Sequence, residues 1–119
     1  MRKRVVVTGL GCISPVGNNV EDTWKNILAG KSGATKITHF DASGYKSRIA
    51  AEVKNFDPKE LFGKKDARRM DRSTQFAIAS ALEALEDSGL EITEDNRDKI
   101  GAVIGSGIGG IGSVEEATN

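Results

Sequence analysis

The sequence predicts an α/β fold built on a parallel sheet, of which these 119 residues supply one part. Three observations carry that reading. Arg4–Thr8 (RVVVT) is a β-branched apolar run closed by Gly9. Ile100–Ile104 (IGAVI) is a second apolar run that dissolves into glycine, with Gly105, Gly107, Gly109, Gly110 and Gly112 close behind. Neither run shows polar alternation, so each reads as a strand covered on both faces, as in a parallel sheet. The segments between them have helical patterning, the order that a right-handed crossover needs. Two strands do not complete a sheet with helices on both faces. The chain therefore reads as the N-terminal part of a larger α/β protein.

Composition narrows the function. Apolar residues make up 38%, and with the 14 glycines they reach the ordinary share for a globular protein. Lys+Arg and Asp+Glu balance at 17 each, so no net field draws the molecule to nucleic acid or a membrane surface. A single cysteine, Cys12, excludes an internal disulfide and a cysteine-rich zinc site. No apolar run approaches the roughly 20 residues of a membrane span. The three valines after MRKR are too short for the apolar region of a signal peptide. The expected setting is cytoplasmic and reducing.

In chain order, Gly9–Gly17 reads as a loop, and Asn18 or Asn19 caps the first helix, with Glu21 and Asp22 in its first turn. Val20, Trp24, Ile27 and Leu28 form one apolar stripe on it, and Gly30 ends it. Lys31–Phe56 carries few signals beyond Arg48–Val53, a short strand or extended edge. Asp57-Pro58-Lys59-Glu60 is a compact helix start, and Gly63 is its expected stop. Asp71 or Ser73 opens a helix running to about Ser88, which Gly89 stops. The small side chains of Ala77, Ser80, Ala81 and Ala84 predict a buried helix that another element approaches closely. Glu91–Lys99 reads as a polar loop with a turn at Thr93, and Ser113-Val114-Glu115-Glu116 has the spacing of a capping box, so a last helix is expected to start there.

Several motifs invite a chemical reading. Gly107–Gly112 fits GxGxxG, which in a nucleotide-binding module brings backbone to a pyrophosphate. That context needs an acidic residue at the end of a following strand, which is absent, so a structural glycine turn is the simpler reading. Gly30-Lys31-Ser32 lacks the glycine that a phosphate-binding loop requires five residues earlier, where Lys25 stands. Cys12 has no helix start or nearby histidine in sequence to make a thiolate, and reads as a small buried thiol. His39, the one histidine, reads as a structural or surface residue. Lys64–Arg72 carries five cationic and two anionic side chains, and Glu83–Asp98 carries seven anionic and one cationic. If the first segment is helical, Lys65, Arg68 and Arg69 share a face suited to an acidic protein partner. No aromatic residues are interleaved for stacking on nucleic acid.

Taken together, RVVVTGLGCISPVGN, TWKNILAGKSG, the RRMDR segment before the alanine-rich helix, and IGAVIGSGIGG resemble the start of β-ketoacyl-[acyl-carrier-protein] synthases, of the elongating, type II-like branch. The resemblance spans essentially the whole chain, in order and spacing. It implies a thiolase-like fold, with this chain as the N-terminal part of the first α/β half, and residues 1–119 as the N-terminal segment of the synthase N-terminal domain. It implies decarboxylative Claisen condensation in fatty-acid elongation. An acyl group passes from carrier protein to a cysteine, and malonyl-carrier protein loses carbon dioxide to give the attacking carbanion. Two histidines assist, without metal or redox cofactor. Neither Cys12 nor His39 matches those residues, so the chain alone is expected to be inactive, with no catalytic, cofactor or metal residue in it. The resemblance assigns Lys65, Arg68 and Arg69 to docking of the acyl carrier protein and Ile108 to the wall of the acyl pocket. It implies a homodimer and an acyl thioester substrate. A non-catalytic carrier-binding or scaffolding piece is the alternative, and a nucleotide-binding module a further one.

Overall fold

The computed structural model describes residues 2–118. They fall into two units, Cys12–Phe56 and a second made of residues 2–11 with 57–118.

In the Cys12–Phe56 unit, Ser14 and Gly17 exchange backbone hydrogen bonds of 2.8 and 3.2 Å across a tight turn. Helix α1, Val20–Leu28, follows. Asn19 is its cap, accepting from the Asp22 N–H at 2.7 Å, and Glu21 and Asp22 occupy the first turn as expected. The apolar stripe does not cover a core. Trp24 is 60% exposed and Leu28 69%, while polar Thr23 is buried. The cause is hydrogen bonding. The Thr23 hydroxyl donates to the Gly17 carbonyl (3.1 Å) and lies 2.9 Å from the Ser14 hydroxyl, and the Asn26 amide donates to the Val16 carbonyl. Beyond the bonds within the turn, its Val16 and Gly17 carbonyls and the Ser14 hydroxyl find partners on the polar face of α1, and these turn that face inward. Strands β1, Thr35–Lys36, and β2, Ile49–Ala50, pair antiparallel with Thr35 opposite Ala50. The strand expected within 48–53 is thus present, but two residues long.

In the second unit, helix α2 spans Pro58–Ala67 with Asp57 as its cap, accepting from the Lys59 N–H at 2.8 Å. Gly63 ends the first helical stretch, as expected. Its φ of 77° and ψ of 160° break the helical path, and the helix resumes to Ala67. Helix α3, Arg72–Ser88, is capped by Asp71 and stopped by Gly89 in the left-handed conformation (φ 64°), as expected. It is less buried than its small side chains suggest, with Gln75 and Ala79 its buried residues. The close approach those side chains permit is nonetheless used. A Cβ on Gly11 would drive into the Ser80 carbonyl oxygen and lie 2.9 Å from the Ala84 nitrogen, and one on Gly9 would lie 2.7 Å from the Ser88 Cβ. The Leu10 N–H donates to Asp87 Oδ2 at 2.8 Å, fastening the same loop to α3.

The two apolar runs that predict a parallel sheet form no strands among the described residues. Val5 is 94% exposed and Val103 101%. β-Branched sequence favours extended backbone, but a strand exists only when a neighbour supplies the ladder, and neither run has one here. The buried apolar residues are correspondingly few and small: Ala42, Ala67 and Ala79. After α3, the Thr93 N–H donates to Asn96 Oδ1 (2.7 Å), and a 3₁₀ turn follows at Arg97–Lys99, where the sequence places a turn. Helix α4, Ile111–Thr118, begins two residues before Ser113. The Gly110 carbonyl accepts the first bond, from the Val114 N–H at 3.1 Å, so Ser113 lies inside the first turn instead of capping it.

Candidate functional site

Two features of the second unit carry the site: a basic turn between α2 and α3, and the glycine turn before α4. Lys65 lies on the last stretch of α2. Arg68 keeps helical dihedrals (φ −75°, ψ −21°), and the Arg69 N–H donates to the Asp66 carbonyl at 3.0 Å. The spacing i, i+3, i+4 is therefore realised in helical backbone, and Lys65, Arg68 and Arg69 share a face. All three are exposed. Among the described residues none of them has a carboxylate within 4.0 Å.

Two neighbouring charges, Arg72 and Asp71, are otherwise engaged. Arg72 stacks its guanidinium over the Phe76 ring, 4.8 Å from the centroid. Asp71 accepts from the Ser73 hydroxyl (2.6 Å), the Thr74 N–H (3.0 Å) and the Thr74 hydroxyl (3.2 Å). These bonds, the Ser73 hydroxyl first, hold its carboxyl below the ordinary 3.8. Asp71 is spent on the helix cap and forms no ion pair with either Arg68 or Arg69.

Sequence reading missed Gln75. It is buried in α3, and its amide Nε2 donates to the carbonyls of Ala67 (2.9 Å) and Met70 (3.1 Å). The one signal available is an amide one turn into a helix whose neighbouring positions are small or apolar.

On the glycine turn, Ser106 Oγ accepts from the Gly109 N–H at 2.9 Å, and Gly109 has a φ of 69° that a side chain would strain. Ile108 projects from this pinned turn, 81% exposed. A Cβ on Gly110 would lie 2.8 Å from Asp71 Cγ, so the backbone here abuts the cap of α3. A groove of about 550 Å³ runs between the two features, lined by Arg68, Met70, Asp71, Phe76 and Ile111 among others. Ile108 does not line it. The segment before the glycines forms no strand, so the strand-turn-helix context of a dinucleotide fingerprint is absent among the described residues.

The other chemical candidates lie in the Cys12–Phe56 unit. His39 Nε2 is 3.9 Å from Glu52 Oε1, with its side chain 66% exposed. Glu52 is itself held by the Thr38 hydroxyl (2.7 Å) and N–H (3.0 Å), which keep its carboxyl below the ordinary 4.5. Cys12 is half-buried. Among the described residues no helix is long and apolar enough to cross a membrane.

The model of the β-ketoacyl synthase N-terminal domain matches residues 2–119. A 3-oxoacyl-[acyl-carrier-protein] synthase 2 from Vibrio harveyi is 54% identical over 114 residues, which are 96% of this chain and 28% of that protein. Proteins of the same name from Coxiella burnetii and Staphylococcus aureus are 53% and 51% identical over 115 residues. The chain thus spans about 28% of the length of these curated relatives. Among solved structures, the ishigamide ketosynthase/chain length factor matches with a TM-score of 0.67 and 41% identity, covering 81% of this chain and 23% of that one. Family and structural likeness agree with a thiolase-like α/β fold seen in part, as helices and a small sheet. The chain belongs to the β-ketoacyl synthase family, through that family's N-terminal domain.

Proposed function

We propose that residues 1–119 are the N-terminal segment of the N-terminal domain of a β-ketoacyl-[acyl-carrier-protein] synthase, and that they supply recognition surfaces to a decarboxylative Claisen condensation whose reacting groups they do not contain. The complete enzyme is an acyltransferase of fatty-acid elongation, cytoplasmic and homodimeric. It takes an acyl primer and malonyl-carrier protein. The basic turn docks the acidic carrier protein through Lys65, Arg68 and Arg69, and Ile108 forms part of the wall of the acyl pocket.

The observation that carries this reading is the basic face itself. Three exposed cations share one turn and lack carboxylate partners among the described residues, while Asp71 and Arg72 are occupied elsewhere. Exposed charge of one sign gathered on one face steers and orients an acidic partner. Ile108 has independent support. A large apolar side chain is held outward by the Ser106–Gly109 hydrogen bond, a geometry that suits burial against an acyl chain.

The test is a condensation assay on a full-length synthase carrying these residues, with radiolabelled malonyl-carrier protein. The expected result is turnover, with a higher KM for carrier-linked substrates in the Arg68→Glu, Arg69→Glu variant. An unchanged carrier KM removes the docking assignment. Turnover by the 119-residue chain alone refutes the claim that the reacting groups lie elsewhere.

A further inference from the structure

We propose that Gln75 is a positioning residue for carrier docking, holding the backbone from which Arg68 and Arg69 project. The inference rests on the docking reading above and adds a residue that neither touches the partner nor carries charge.

Helix α2 ends at Ala67 and α3 begins at Arg72, so Arg68–Asp71 join the two helices in four residues. Such a turn leaves the last carbonyls of the first helix without intrahelical donors. The carbonyl of Ala67, at the end of that helix, and that of Met70, in the turn, bracket both arginines, and Gln75 reaches back from α3 to satisfy the pair. Ala67 and Gln75 are each only 7% exposed, so water does not readily replace the amide. The other end of that amide is informative. Gln75 Oε1 is buried and has no hydrogen-bond partner among the described residues. An unpaired buried acceptor is costly, so what the side chain contributes comes from its donor end. Asp71 fixes the next residue of the turn by capping α3. The backbone is thus tied at 67, 70 and 71, while the side chains of Arg68 and Arg69 remain exposed. A fixed backbone under free charged tips lowers the ordering cost of the encounter.

The experiment is a double-mutant cycle in a full-length synthase carrying these residues: wild type, Gln75→Leu, Arg68→Ala with Arg69→Ala, and the combination. Each form is assayed with malonyl-carrier protein and with malonyl-pantetheine, which carries the same thioester without the protein. Gln75→Leu is expected to raise the carrier KM about fivefold with kcat unchanged, and to leave both constants for malonyl-pantetheine unchanged. In the background lacking both arginines it should raise the carrier KM by less than about twofold. A purely structural role predicts equal losses on both substrates, and that result overturns the inference. So does a fivefold effect that persists without the arginines, or a carrier KM that Gln75→Leu does not move. If removing the arginines alone leaves the carrier KM unchanged, the docking reading fails first and is identified as the cause. Gln75→Met, which keeps the volume and also lacks the donor, serves if the leucine variant does not fold.

Discussion

Replacing Gly11 with alanine tests the packing that seats the N-terminal loop on α3. The added Cβ would meet the Ser80 carbonyl oxygen, lie 2.8 Å from the Ser80 carbonyl carbon and 2.9 Å from the Ala84 nitrogen, against the 3.4 Å at which ordinary contact begins. All three atoms are helix backbone, so no rotamer change relieves the clash. The loop must lift from α3, or the helix must bend. Overpacking of this kind costs about 1–3 kcal/mol. Lifting also stretches the bond from Leu10 N to Asp87 Oδ2, and a hydrogen bond to a charged group adds about 1.5–3 kcal/mol when lost. The expected destabilisation is therefore about 2.5–6 kcal/mol. Gly44→Ala is the control, since nothing lies within 4 Å of its added Cβ, and it should stay within about 0.5 kcal/mol of wild type. The assay is urea unfolding of a full-length synthase bearing each change, followed by circular dichroism. A loss below about 1 kcal/mol for Gly11→Ala, or equal effects of the two changes, refutes the packing argument.

Three further outcomes follow from the same geometry. If Ile108 lines the acyl pocket as proposed, Ile108→Phe should lower kcat/KM for long acyl primers at least about fivefold relative to short ones, because the larger ring would narrow that wall; an unchanged chain-length profile makes Ile108 packing only. Asp71 has a folded pKa below its ordinary 3.8, so its contribution to stability is present above that value and is lost as pH falls through the lower, folded one. Asp71→Asn keeps a capping oxygen and should remove that part of the acid slope in unfolding free energy between pH 5 and 2, whereas an unaltered slope contradicts the assignment. Among the described residues only three apolar ones are buried, all alanine, so the isolated 119-residue chain should lack a cooperative urea transition by Trp24 fluorescence; a sharp two-state transition would show a core that these residues do not provide.

What was legible in the sequence was local. Asn19, Asp57 and Asp71 cap helices because each side-chain oxygen meets an N–H two or three residues on, and Gly89 ends α3 by its own left-handed backbone. The shared face of Lys65, Arg68 and Arg69 follows from helical spacing alone. The features that escaped depend on distant partners. The rotation of α1 is set by hydrogen bonds between Thr23, Asn26 and the Ser14–Gly17 turn, and these outrank the apolar stripe that Trp24 and Leu28 advertise. Valine-rich Arg4–Thr8 has strand propensity but no ladder partner among the described residues, and propensity alone does not make a strand. Gln75 was invisible for the same reason, because the carbonyls that need it lie five and eight residues away on another helix and its turn. Ile108 entered through family resemblance; nothing in its local pattern separates it from a packing residue.

The central claim is that the turn carrying Lys65, Arg68 and Arg69 is where an acidic carrier protein docks. Its most direct test is the carrier dissociation constant, measured across ionic strength, for a full-length synthase and its Arg68→Glu, Arg69→Glu variant. Removing an exposed attraction of about 0.5 kcal/mol at each position and installing a similar repulsion amounts to about 2 kcal/mol, or roughly 30-fold in Kd, at low salt. Screening shortens the reach of these charges to about 3 Å at 1 M salt, so the two affinities should converge there. Equal affinities at low salt, or a difference that does not shrink as salt rises, would contradict the account.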